Sequence, residues 1–388
     1  MPLFDQIVRE ETRPRRQNEC AFEYLNTSAR RGIISIREML ENWFEHLPQT
    51  AKADIRGRFR KRDEVQHQSA FFELFWHELL YSSGHTLRIH PAVPNTSTRP
   101  DFSIERDGIA QFYVEATLAL PPSDPAVARR IAELHDTLDR INSPDFFLEF
   151  QYRGSPDSNI QGRPLRDRLE RWLRQLNYDE ISRYYENHDY EAIPTLTCTE
   201  EALTLTFTPI PKGPSHRGRH GARAVGINMP LDFRELSTDE DIRSAVEGKS
   251  SKYGQLNRPL IVVVNVMDDF CDDDDVWNAL LGFIPSQNPN LRWQQQCARA
   301  PVGAWRARNG PRNAPVSAAV VTHQLSPSNI RTRVVRLIHN PWALIPLPVE
   351  FLGLEQRTID LDNGQVRERA GTHPADLLGL PDPWPIPD

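Results

Sequence analysis

Apolar residues at 34–47 recur at helical spacing. Ile36, Met39, Leu40, Trp43, Phe44 and Leu47 form one stripe, which Pro48 ends. A second helix, over about 50–62, is strongly basic, with Arg56, Arg58, Arg60, Lys61 and Arg62. The clearest helix covers 64–84. Phe71, Leu74, Phe75 and Leu79 make a wide apolar face, Gly84 suits its stop, and Glu73 and His77 lie one turn apart on it. The period then changes to two. A short strand in TLRIHPAVP runs into a proline loop, and a second strand starts near Asp101. After the turn at Arg106 to Gly108 a third strand follows, AQFYVEATLAL. Tyr113, Glu115 and Thr117 share one of its faces; Phe112, Val114, Ala116 and Leu118 share the other.

Beyond this strand the chain makes a long excursion, 121–237. It is read as a helix (124–141), a strand (146–154), a helix rich in Arg and Leu (164–176) and strands within 196–210. Its loop PKGPSHRGRHGARA is basic and Gly-rich, and is read as surface. Thr238 and the acids after it suit the start of another helix, which leads into PLIVVVNV, a buried strand. Asp272 to Asp275 suit the positive end of a helix near 275–283. Strands are expected in VSAAVVTHQL and TRVVRLIHNP. The division expected is a basic helical segment (1–63), whose first 31 residues are a loose lead-in, then a first core part (64–120), an insertion (121–237), a second core part with added strands (238–340) and an irregular proline-rich tail (341–388). The fold class is α/β, a mixed sheet flanked by helices.

The chain's 388 residues carry a formal net charge of −7, so a global basic field is absent and any polyanion contact must be local. No apolar run approaches the ~20 residues of a spanning helix, so no membrane contact is expected. The opening MPLFDQIVREE lacks the apolar stretch of a secretory signal. Four dispersed cysteines (Cys20, Cys198, Cys271, Cys297) argue against a disulfide framework, and the expected location is the cytoplasm. Lysine is scarce. Of 46 basic side chains only Lys52, Lys61, Lys212, Lys249 and Lys252 are lysines, and two of these lie three apart. A compact ammonium has a movable pKa, which a guanidinium lacks.

Asp101 begins one strand and Glu115 lies inside its antiparallel neighbour, so their carboxylates can converge on one side of the sheet. Two such carboxylates, with a third from Glu73, make a hard oxygen site suited to Mg²⁺ or Mn²⁺. A nearby lysine would orient water or offset developing negative charge. RPDF at 99–102, followed by YVEAT at 113–117, resembles the PD-(D/E)XK nuclease superfamily, whose fold is restriction-endonuclease-like. The resemblance covers the order of acidic helix, strand, PD on the second strand, E-x-K on the third, helix and fourth strand. It implies Asp101, Glu115 and Glu73 as metal ligands. Thr117 stands where the family lysine belongs. Families resembling this one can supply that lysine from the following helix, which here carries Lys249 and Lys252, with Lys252 slightly favoured because it shares a face with Gly248 and Gln255. Lys252, Tyr253 and Gln255 also resemble a decoration that some members carry there.

The activity implied is metal-dependent hydrolysis of nucleic acid, DNA favoured, with defence against foreign DNA a common role among such proteins. Arg56, Arg58, Arg60 and Lys61 of the basic helix, and Arg217 and Arg219 of the basic loop, would hold the phosphate backbone. A second copy or a partner protein would serve to cut both strands. Two other readings compete: the same fold, inactive, as a nucleic-acid- or protein-binding scaffold, and an unrelated α+β ligand binder. Gly248-Lys249-Ser250 is no phosphate loop, because Arg243 stands where the first glycine is needed and the strand follows instead of preceding.

Overall fold

The computed structural model describes all residues except 17–18, 95, 122–124, 155–160, 201–202, 219–223, 231–237, 254–255, 269–270, 286–301, 308–309, 314 and 349–352. The chain divides into two units. One comprises Met1–Pro14, Cys20–Pro121 and Ser237–Asp388; the other comprises Arg15–Glu19 and Pro122–Leu236. The expected excursion, 121–237, runs alongside the long segment of the second unit.

The first unit opens with helices α1 (Ala21–Thr27), α2 (Arg31–His46), α3 (Gln49–Phe59) and α4 (Glu64–Ser82). α4 starts where the Asp63 carboxylate accepts the backbone N–H groups of Val65 and Gln66, which would otherwise lack partners. Strands β1 (Thr86–Ile89), β2 (Phe102–Arg106) and β3 (Ile109–Ala119) follow as an antiparallel meander.

The second unit carries α5 (Pro125–Leu138), β4 (Phe146–Gly154), α6 (Gly162–Leu173), α7 (Tyr178–Glu186), β5 (Leu196–Glu200), β6 (Leu203–Pro211) and β7 (Val225–Pro230). Its sheet has the order β5-β6-β4-β7, and its own core includes Leu148, Phe150, Leu165, Leu169 and Phe207. Lys212 is buried here, its ammonium donating to the Ser143 carbonyl at 2.6 Å.

The chain returns to the first unit through α8 (Thr238–Ser250) and β8 (Leu260–Val266). α9 (Asp273–Leu281) follows, opened by a reciprocal cap between Asp272 and Asp275. Next come the short β9 (Arg306–Ala307) and β10 (Gly310–Pro311), then β11 (Val316–His323), β12 (Arg336–His339), β13 (Glu355–Ile359), β14 (Val366–Arg369) and α10 (Pro374–Leu377). Among the described residues the main sheet has eight strands in the order β1-β2-β3-β8-β11-β12-β13-β14. β3, β8 and β11 run parallel, so the connection from β3 through α8 to β8 is a crossover. Every residue of β8 is buried because both faces of the sheet are covered. Ile261 and Val263 join Phe112, Val114, Ala116 and the α2–α4 side chains; Val262 and Val264 join Tyr113 and the α8 residues Ile242 and Val246.

Both ends of the chain differ from expectation. Met1–Pro14 is no loose lead-in: Leu3 and Phe4 are buried, and Phe4 meets Phe59 edge-on at 5.8 Å. Met1–Pro14 and the helices from Cys20 to Phe59 therefore belong to one unit with α4. The tail also belongs to that core. β13 and β14 extend the sheet, and Leu354, Ala375, Leu380 and Trp384 close the cluster beside α4. Its prolines break regular periodicity, yet Leu347, Leu354, Ile359, Leu380 and Trp384 are buried, while Leu344, Leu361 and Ile386 stay exposed. Trp384 also donates its indole N–H to the Pro327 carbonyl at 2.9 Å. Replacing Trp384 by Ala is expected to cost about 3 kcal/mol, read from urea unfolding. A loss under about 1 kcal/mol would mean that the tail is not part of the core.

Candidate active site

Glu115 lies mid-way along β3, on the α8 face of the sheet, and is 2% exposed. A carboxylate in such a place demands partners. Oε1 accepts from Lys249 Nζ at 2.6 Å, and Lys252 Nζ lies 3.5 Å away. Oε2 accepts from the Tyr253 hydroxyl at 2.7 Å and from the Asp101 backbone N–H at 3.2 Å. Asp101 immediately precedes β2, whose register sets Phe102 opposite Val114. Its Oδ2 accepts from the Ala116 backbone N–H at 2.8 Å. The two carboxylates are thus interlocked, each held by a backbone N–H beside or at the other's residue.

The lysines are positioned by the end of α8. Lys249 is in its last turn; Lys252 and Tyr253 lie beyond it. Gly248 and two serines are weak helix formers, and the Ser250 hydroxyl competes for the backbone, standing 2.9 Å from both the Glu247 carbonyl and Asn313 Oδ1. The chain then turns, and Thr98 Oγ1 donates to the Lys252 carbonyl at 2.8 Å. The preference for Lys252 as a helix-face residue is accordingly corrected. Lys249 is the closer ammonium and the more buried, with 18% of its side chain exposed against 43% for Lys252. Gln255 lies outside the described residues.

Burial, then the neighbouring charges of Glu115 and Glu73, push the Asp101 carboxyl up to about 8; Lys249 and the Ala116 N–H pull the other way. Burial would lower the pKa of Lys249, but the Glu115 and Asp101 carboxylates outweigh it and raise the value. Burial and the hydrogen bond to Glu115 also raise the pKa of Tyr253, whose phenol therefore stays a donor.

Glu73 departs from its expected role. It is near enough to Asp101 to line the same cavity of about 60 Å³. Both its oxygens, however, are taken by Arg58, at 2.7 and 2.6 Å. Among the described residues, no three His, Cys, Asp or Glu side chains group as a metal ion requires. The three-carboxylate cluster thus reduces to the pair Asp101 and Glu115. Asp101 and Glu115 are the two carboxylates that could face a cation from rigidly held elements, with both Glu115 oxygens already engaged, Oε1 by Lys249 and Oε2 by Tyr253 and the Asp101 N–H.

The expected phosphate contacts fare unevenly. Arg58 is turned inward, bound by Glu73 and by Asp54 one turn away. Arg56 donates to the Pro2 carbonyl at 2.8 Å. Arg60 donates to the Leu3 carbonyl and Asp5 and stacks over Phe22. Arg217 pairs with Asp145 and lies over the Tyr178 ring at 3.9 Å. Lys61 is exposed, and Arg219 lies outside the described residues. The Arg58 clamp and the Thr98 tether have no local sequence signal, since each joins elements distant along the chain. Tyr253 was noted from the sequence, but its bond to Glu115 depends on the turn after α8. No protein-family model, curated protein or solved structure matches this chain at significance. Among the described residues no helix is long and apolar enough to cross a membrane.

Asp101 gives a pH dependence whose sign is fixed. Its native pKa lies above the unfolded value of 3.8, so between about pH 4 and 8 the native state keeps a proton that the unfolded chain has lost. Stability therefore falls as pH rises through that window. Asp101→Asn keeps an acceptor for Ala116 and removes the charge. In chelator, its melting temperature is expected to exceed the wild type's by several degrees near pH 8.5, the gap closing toward pH 4. Parallel profiles for the two proteins would contradict this assignment.

Proposed function

We propose that this chain is a metal-dependent nuclease with a restriction-endonuclease-like core. The observation that carries this reading is the interlocked pair Asp101 and Glu115, faced by Lys249 from the crossover helix. The order of elements supports it: α4, an antiparallel meander β1-β2-β3, then α8 and a parallel β8. Thr117 is no obstacle, because Lys249 brings an ammonium to Glu115 from the helix instead of the strand.

Asp101 and Glu115 would hold Mg²⁺ or Mn²⁺. When bound, such an ion stabilises negative charge on a phosphoryl oxygen and makes water a stronger nucleophile. Asp101 must give up its proton to serve as a ligand, so activity should rise from neutral toward mildly alkaline pH. Lys249 orients the attacking water and offsets charge developing at phosphorus. Tyr253 holds Glu115 by its second oxygen, fixing the carboxylate while Lys249 is engaged with the reacting groups. Double-stranded DNA is the substrate to test first, with RNA and single strands alongside.

Purified protein incubated with these substrates in Mg²⁺, Mn²⁺ or EDTA should cleave only with metal. Asp101→Asn and Glu115→Gln should abolish cleavage. Lys249→Ala should lower the rate by about 100-fold or more, and Lys252→Ala by less than about tenfold. Cleavage in EDTA, or full activity in the Asp101 and Glu115 variants, would defeat the reading. Nucleic-acid binding by a folded protein that takes up no metal would favour the scaffold.

A further inference from the structure

Glu73 is turned toward the cavity that it shares with Asp101, His90, Ile55 and Phe102, yet it is not available there. Arg58 Nη1 donates to Oε1 and Nη2 to Oε2, at 2.7 and 2.6 Å, so one planar fork covers the whole carboxylate. The same guanidinium donates from Nε and Nη2 to Asp54 Oδ2, at 2.9 and 2.7 Å. Four N–H bonds thus hold it between two carboxylates. The Arg58 and Glu73 side chains are only 19% and 13% exposed, so water screens this pair poorly.

Taking Asp101 and Glu115 as metal ligands, as the proposed function does, we propose that Arg58 is a built-in cation that closes Glu73 to metal, so that the centre takes one divalent ion and not two. A second ion at Glu73 would have to break the bidentate pair and stand beside a permanent positive charge. It would also strand a mostly buried guanidinium that keeps only Asp54. The guanidinium thus occupies the Glu73 oxygens that a second ion would need. Arg58 acts through Glu73 and is a positioning residue; it belongs neither to the phosphate-binding surface nor to the ligand set.

The test is Mn²⁺ stoichiometry on the full chain, read as loss of the free-ion paramagnetic resonance signal, which is independent of catalysis. The wild type should bind one ion. Glu73→Gln leaves Asp54 to neutralise Arg58 and should bind one ion with an affinity within about threefold of the wild type. Arg58→Leu frees Glu73 and should bind two ions; Arg58→Gln replaces it if circular dichroism shows misfolding. Two ions on the wild type, a loss of about tenfold or more in Glu73→Gln, or a single ion on a folded Arg58 variant would each overturn the role of Arg58, leaving the metal-centre reading intact. No ion on the wild type would overturn both.

Discussion

A carboxylate in the middle of a covered strand carries a desolvation cost that only close partners offset, and Glu115 is such a group. Much of the surrounding structure follows from meeting that demand. α8 must end over its face of the sheet, so that Lys249 reaches Oε1. The helix must stop at Ser250, so that the following turn can bring Tyr253 back to Oε2. β2 must pair with β3 in one register, so that the Asp101 N–H also meets Oε2 and the Ala116 N–H meets Asp101. A slip by one residue would move Glu115 to the opposite face, among Val114, Ala116 and the α4 side chains.

Charge is divided unequally around this centre. Glu115 has Lys249, and Glu73 has Arg58 with Asp54 beyond it. Asp101 lies between the two groups. Burial first, and then both carboxylates, raise its pKa to about 8 against the opposing pull of Lys249 and the Ala116 N–H.

Local pattern made much of this legible. The period-two alternation of β3 put Tyr113 and Glu115 on one face and Phe112, Val114 and Ala116 on the other, which is how they divide between the two cores. The wide apolar face of α4 and the unbroken run of β8 are equally direct readings. The scarcity of lysine drew attention to Lys249 and Lys252, but their ranking depended on where α8 ends. That is a contest between serine hydroxyls and backbone carbonyls, which periodicity does not register. The fate of Glu73 was out of reach for a different reason. A helix acid and a helix arginine look solvated when each helix is read alone, and only the meeting of α3 with α4 makes them a pair. The tail misled because its prolines break the spacing by which buried residues such as Leu354, Leu380 and Trp384 would show.

The proposed function stands or falls on Asp101 and Glu115 together holding a divalent ion. Anomalous scattering from crystals of the full chain soaked in Mn²⁺ tests it most directly. A peak is expected within coordination distance of oxygens from both carboxylates. A peak elsewhere, or none at saturating Mn²⁺ with the Lys249–Glu115 pair intact, would contradict it.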